Sequence, residues 1–261
     1  MIPFNPVEVL KKLISIRSLS KEEGAARDFM ESVFKKHEID FTTDLNNIWA
    51  KNKHFDSTKY TILLNSHLDT VKPNKGYTKD PFNPQVEEGK LYGLGSNDAG
   101  GALVTLLGTF IHFYFEKGLP FNLVFAASAE EEISGKNGME FLFPRLPEVD
   151  FAIVGEPTLL NIAIAEKGLM VLDCKSIGKS AHAARNDGVN AIYEAIKDIN
   201  WFSTYVFPKK SEETGAVNMT VTLIKSGSQH NVVPAECDFV VDVRVNDKYT
   251  NNEVLNIIKS N

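Results

Sequence analysis

Four short stretches of this 261-residue sequence end in side chains that can bind a cation or move a proton. The first is Leu63-Leu64-Asn65-Ser66-His67-Leu68-Asp69, an apolar run closing on a histidine and an aspartate two residues apart. In an extended chain those two side chains face the same way, so Asp69 can take one imidazole proton while His67 offers its other nitrogen to a metal. The second, Tyr92 to Gly101, sets Asp98 among glycines at the start of an uncharged stretch, where an acid also makes an ordinary helix N-cap. The third places Glu130, Glu131 and Glu132 directly after an apolar run. Three adjacent acids commonly form a solvated turn, but clustered carboxylates repel unless a cation neutralises them, and one left unbound can serve as a general base. The fourth, Ile153-Val154-Gly155-Glu156-Pro157-Thr158, again carries an acid just beyond an apolar run.

The elements that must position these residues are legible around them. Asn5-Pro6-Val7-Glu8 offers an N-cap, a proline at the first helical position and a capping acid ahead of Val9, Leu10, Leu13 and Ile14. Ser20-Lys21-Glu22-Glu23 repeats the device before Phe29, Met30, Val33 and Phe34. Strands are expected at 47–51, 60–65, 122–128 and 151–154, with a buried helix over 99–115 and a short one near 138–143. Strands alternating with helices imply an α/β fold, a mostly parallel sheet sandwiched by helices. Three strand ends and one helix start then converge at the carboxyl edge of the sheet, where open α/β sheets place their sites. Histidine and carboxylate ligands suit zinc, and a carboxylate shared by two ions suits a two-metal hydrolase.

Beyond about residue 166 the pattern becomes strand (169–177), helix (189–202), two strands (217–225 and 237–245) and a helix start (252–259). That is a split βαβ, ferredoxin-like unit owing one strand. The reading divides the chain into 1–165 and 166–261, the second part an inserted α+β domain cut short at its C-terminus.

Composition narrows the classes. A net charge of −6 argues against a nucleic-acid binder. Cys174 and Cys237, far apart and outside any paired motif, point to a reduced, cytoplasmic protein. The uncharged segment 99–115 contains His112 and reads as a buried helix, so no membrane association is expected.

Taken in order, His67-x-Asp69, Asp98 after a Gly-x-Gly turn, the Glu131-Glu132 pair and Gly155-Glu156-Pro157-Thr158 resemble the metallopeptidase family of acetylornithine deacetylase, succinyl-diaminopimelate desuccinylase and aminoacylase. The likeness runs over essentially the whole chain and is greatest to the acetylornithine deacetylase group. It implies two zinc ions, with cobalt an alternative, held by His67, Asp98, Glu132 and Glu156, with Asp98 bridging them. It also implies Glu131 as general base and Asp69 as the residue that orients His67. Residues 166–261 resemble the family's lid and dimerisation domain. Gly178-Lys179-Ser180-Ala181-His182 matches the segment whose histidine steadies the oxyanion in the partner subunit, which implies a homodimer. Asn231-Val232-Val233-Pro234 and Asp242-Val243-Arg244 match lid segments that contact a substrate carboxylate, for which arginine is a suitable fork.

The implied reaction is hydrolysis of the amide of an N-acyl amino acid, of the N-acetyl- or N-succinyl-ornithine or citrulline type, within arginine biosynthesis. Desuccinylation of succinyl-diaminopimelate and dipeptide cleavage are the alternatives. The sequence also departs from the family. No histidine follows His230, although the family's last zinc ligand is a later histidine. Leu94 and Gly100 replace a common Arg and Lys, and Glu130 stands where Asp is commoner. An amidohydrolase given as a fragment, or a silent dimerising or metal-binding scaffold, are therefore the two expectations.

Overall fold

The computed structural model describes residues 3–261, which divide into two units, the first ending at Leu160 and the second Asn161–Asn261. In chain order the first unit comprises α1 (Pro6–Ile14), α2 (Gly24–Lys36), β1 (Thr42–Asp44), β2 (Asn47–Lys51), β3 (Thr61–His67), β4 (Gln85–Glu87), β5 (Lys90–Tyr92), α3 (Gly101–Phe113), β6 (Asn122–Ser128), α4 (Met139–Leu142) and β7 (Phe151–Val154). The second comprises β8 (Gly168–Ile177), β9 (Ala181–His182), α5 (Ala191–Thr204), β10 (Asn218–Ser226), β11 (Val232–Val233), β12 (Glu236–Val245) and α6 (Asn251–Ser260).

The main sheet of the first unit has the order β1-β2-β6-β3-β7. Strand β3 runs parallel to both β6 and β7, whereas β2 is antiparallel to β6 and to β1. The sheet is thus mixed, with β1, β6, β3 and β7 running the same way and β2 opposed, in keeping with the expected mostly parallel sheet. Its parallel part is the three strands whose ends carry the candidate residues.

The apolar runs of β3 and β6 are continuous because both faces are covered. Leu123, Phe125 and Ala127 pack with α2 and α3, through Met30, Phe34, Leu103, Leu107 and Phe110. Val124 and Ala126 face the other way, onto Leu142 and Leu146. Phe125 meets Phe34 edge-on and Phe110 at a tilt, with centroids 6.0 and 5.8 Å apart. Strand β7, at the sheet's edge, is apolar yet exposed along its whole length.

Helix α1 begins as its sequence implies, with the Asn5 side chain accepting from the Val7 and Glu8 amides. Helix α2 does not. Glu23 occupies its N-cap position without a capping bond, and the Ser20 hydroxyl donates to Asp69 instead. Helix α3 starts at Gly101 rather than at residue 99, because Asp98 and Ala99 hold non-helical backbone angles in the irregular turn Ser96–Gly100. Among the described residues no helix is long and apolar enough to cross a membrane.

The second unit carries a three-stranded antiparallel sheet, β10-β12-β8. Burial along β12 alternates, with Cys237, Phe239, Val241, Val243 and Val245 turned inward. This is the period-two signature of a sheet covered on one face. Residues from α5 and α6, among them Ala191, Ala195, Phe202 and Val254, share that core. A small ribbon pairs β9 with β11, setting His182 opposite Val232. Both cysteines are free, Cys237 buried and Cys174 half-buried.

Candidate metal centre

Parallel pairing decides where the candidate side chains meet. The register sets His67 beside Ser128 and Asn65 beside Val154, so β3, β6 and β7 end at the same edge. The chain leaves β6 into the acidic turn and leaves β7 into Gly155-Glu156. The Gly155 amide donates to Asn65 O at 2.7 Å, and the Ser66 hydroxyl donates to Gly155 O at 2.8 Å, tying that exit to β3.

His67 is the hub. Its side chain is fully buried, and its Nε2 lies 3.2 Å from Asp98 Oδ1, 3.8 Å from Glu131 Oε2 and 3.9 Å from Glu156 Oε1. Two sets of donors, His67-Glu131-Glu156 and His67-Asp98-Glu132, each keep their ligand atoms within 4.8 Å of one another. The far side of the ring is fixed by the residue the i+2 spacing singles out, but through its backbone. Nδ1 lies 2.8 Å from Asp69 O and 3.5 Å from the Asp69 carboxylate. That carboxylate accepts from the Glu131 and Glu132 amides at 3.0 and 3.1 Å and from Ser20 Oγ at 2.7 Å. Asp69 therefore serves the acidic turn as well as the histidine.

The charges in this cluster shift one another. Burial pushes the His67 imidazole down, but the Asp69 contact and the charges of Glu156, Asp69 and Glu131 outweigh it and raise the pKa to about 9. Burial lifts Glu156 to about 7; His67 opposes that rise, while Glu131, Asp98 and Glu132 add to it. Glu132 is raised by burial and then by Asp98. Desolvation would also raise Asp69, but hydrogen bonds from His67, Ser20 and the two turn amides hold it below the usual carboxylate range. One imidazole among four carboxylates is a donor set short of positive charge, and a divalent cation fits it: the donors are hard oxygens plus one nitrogen, open on one side.

Of the residues singled out from the sequence, His67, Asp69, Asp98, Glu131, Glu132 and Glu156 are thus brought together. Glu131, expected as a free base, also stands in one of the two donor sets. His182, Asn231 and Arg244 belong to the second unit. There, Ala183 N donates to Asn231 O at 2.9 Å and Ala184 N to His182 Nδ1 at 3.1 Å, so His182 and Asn231 are neighbours. Arg244 lies at the opposite end of β12, with its Nε and Nη2 on the Asp242 carboxylate at 2.8 and 3.1 Å. Arg244 stands eight positions along β12 from Glu236, about 27 Å at the rise of an extended strand. Sequence reasoning missed Glu23, Asn47 and Asn137, which brace the acidic turn. The first was read as part of a capping box, and nothing in the spacing marks the other two.

Residues 164–261 match the M20 peptidase dimerisation domain. The chain is 27% identical to succinyl-diaminopimelate desuccinylase of Wolbachia pipientis, covering 94% of this chain and 66% of that protein. It is 33% identical to the LysW-lysine/LysW-ornithine hydrolase of Sulfurisphaera tokodaii, covering 96% and 66%. The chain therefore spans just under two thirds of the length of these relatives. Its fold is similar to that of an M20 family metallo-carboxypeptidase from Sulfolobus solfataricus, with a TM-score of 0.73 at 15% identity, covering 99% of this chain and 75% of that one.

Proposed function

We propose that this chain belongs to the M20 peptidase family and is part of a metal-dependent amidohydrolase that releases the acyl group from an N-acyl amino acid. The observation that carries the reading is the meeting of His67 with Asp98, Glu131, Glu132 and Glu156 at one sheet edge, in two donor sets that share the histidine.

In this reading His67, Asp98, Glu132 and Glu156 hold two divalent cations, zinc or cobalt. Bound there, such ions supply Lewis acidity, polarising a carbonyl oxygen and acidifying water. The chain's own residues do the rest. Once the second imidazole proton is displaced on cation binding, the Asp69 carbonyl keeps the remaining one on Nδ1 and leaves the Nε2 lone pair to the cluster. Glu131, half-exposed at the open side, removes a proton from water and passes it to the leaving amine. His182 steadies the oxyanion of a partner subunit's substrate, and the second unit, a dimerisation domain, forms the homodimer this requires. Asn231 and Arg244 hold the substrate carboxylate.

For the substrate we propose N-acetyl- or N-succinyl-ornithine or citrulline, in arginine biosynthesis in the cytoplasm. The name of the Wolbachia relative favours a second reading, desuccinylation of succinyl-diaminopimelate. A hydrolysis screen with zinc or cobalt, using these compounds and simple dipeptides, separates the readings. Cleavage of an acyl-ornithine or acyl-citrulline is the expected result. Cleavage of dipeptides alone would remove the deacylase assignment.

A further inference from the structure

The acidic turn that supplies Glu131 and Glu132 is held by its backbone, and every amide that enters it has a buried partner. Ala129 N donates to Asn47 Oδ1 at 2.9 Å, Glu130 N to Glu23 Oε1 at 3.1 Å, and Glu131 N and Glu132 N to the Asp69 carboxylate. Three residues distant in sequence thus capture four consecutive N–H groups. Two of these partners are carboxylates that lie outside the donor sets.

Glu23 stands out among them. It is fully buried, and among the described residues no lysine or arginine pairs with it. Its Oε1 also accepts from Lys21 N at 2.7 Å, and its Oε2 from Asn46 Nδ2 at 2.7 Å. An ionised carboxylate is the side chain that can accept three donors while presenting none. The residue whose amide it takes, Glu130, lies in the left-handed region at φ 53° and ψ 25°. A non-glycine residue stays there only when surrounding bonds over-determine it. Here they do: the Glu130 carboxylate takes Asn137 N and Nδ2 at 3.3 and 2.9 Å, and Glu130 O accepts from Gly135 N at 2.8 Å. Gly135 has no room for a side chain, since a Cβ there would stand 2.1 Å from Glu130 Oε2. Immediately after that reversal come Glu131 and Glu132, whose ligand atoms each lie within 4.8 Å of a His67 ring nitrogen.

We propose that Glu23 is a positioning residue for the metal centre: by holding the Glu130 amide it fixes the backbone reversal that delivers Glu131 to one donor set and Glu132 to the other. The proposal rests on the metal-centre reading above, and it assigns Glu23 no contact with metal or substrate.

Cobalt(II) binding to the purified chain tests it, followed by the visible d–d bands and accompanied by near-ultraviolet circular dichroism. Glu23→Ala leaves three donors without their acceptor and is expected to weaken cobalt binding about 10–100-fold, the range for residues that orient ligands. Glu23→Gln keeps an oxygen for the two amides, and Asn46 can turn its own oxygen to the new NH2 group, so binding is expected to stay within about threefold. Asn46→Ala removes a bond to the same carboxylate without touching the Glu130 amide and is expected to leave cobalt binding and its spectrum unchanged. If Glu23→Ala does not fold, Glu23→Asp takes its place: burial and charge are kept, but the oxygen is withdrawn by one methylene, and the same loss is expected. A folded Glu23→Ala or Glu23→Asp chain with wild-type cobalt affinity would overturn the proposal, as would an equal loss in Asn46→Ala. A wild-type chain that takes up no cobalt would instead remove the metal centre itself, and the positioning role with it.

Discussion

The two units place their candidate residues by opposite geometries. In the first, three parallel strands end at one edge, so residues far apart in sequence, His67, the 130–132 turn and Glu156, arrive together. In the second, antiparallel pairing sends successive strand ends in opposite directions: Asn231 lies by the β9–β11 ribbon, and Arg244 near the Val245 end of β12. A parallel set concentrates chemistry within one copy of the chain. An antiparallel sheet distributes it, and suits a surface that meets another molecule at more than one point.

The sharpest way to break this contrast is at Glu131, which the geometry gives two jobs. Glu131→Gln is expected to lower kcat by about 10²–10⁴-fold in any form of the protein that hydrolyses an N-acyl amino acid, the range for a lost general base. Metal content measured on the same preparation tells the jobs apart: retention of both ions assigns Glu131 to proton transfer, and loss of one assigns it to the donor set with His67 and Glu156. Unchanged turnover would deny it either role.

The concentration at one edge also depends on the core beneath it. Phe125 is fully buried between Phe34 and Phe110, so Phe125→Ala is expected to cost about 3–5 kcal/mol. Leu223, on β10 of the other sheet, is 65% exposed, and Leu223→Ala should change stability by no more than about 0.5 kcal/mol. Denaturant titration of both variants checks the pair; similar losses would mean that the two sheets do not differ as described.

A smaller effect separates the metal donors from one another. His67 belongs to both donor sets and Glu156 to one. Glu156→Gln should therefore abolish one phase of cobalt uptake and spare the other, while His67→Ala should weaken both. Uptake should also follow pH. In the cation-free chain His67 titrates near 9 and Glu156 near 7, both raised, so both carry protons that a metal must displace. Apparent affinity should rise as pH climbs through about 7 and again toward 9, with proton release in weakly buffered solution. The same signs make the cation-free fold lose stability from about pH 4.5 to 7 through Glu156 and from about pH 6.5 to 9 through His67. The contribution of a group with a raised pKa is complete below its unfolded value and disappears as pH rises through the folded one. Affinity that falls from pH 6 to 9 would contradict the arrangement.

How much of this was legible beforehand follows from the same contrast. The runs ending in His67 and Ser128 announce buried strands because covered strands need continuous apolar residues, whereas the apolar run ending in Val154 forms an exposed edge strand; the chemistry of all three sits directly at their ends. The β1–β2 hairpin was not foreseen as an antiparallel edge, since the short 42–44 strand carries no apolar signal of its own. Ser20 and Glu23 were legible as a motif but not as a function. A serine followed three residues later by a glutamate caps a helix through local bonds, whereas these two spend their oxygens and hydroxyl on residues 49 and 107 positions away. Only tertiary folding decides between the two uses.

The last test concerns the unit where the candidates are dispersed. Arg244 is engaged by Asp242 through two hydrogen bonds, at a site half-open to solvent, and an exposed pair of this kind contributes at most about 1 kcal/mol. Arg244→Ala should thus leave both the fold and cobalt uptake nearly untouched. If Arg244 holds a substrate carboxylate, the cost falls on substrate instead: KM for an N-acyl amino acid should rise about tenfold or more, the worth of a charge-assisted contact, with little change for a substrate analogue lacking that carboxylate. A shift in cobalt affinity comparable to that of Glu156→Gln would show that Arg244 acts on the metal centre, and the division of labour between the two sheets would no longer stand.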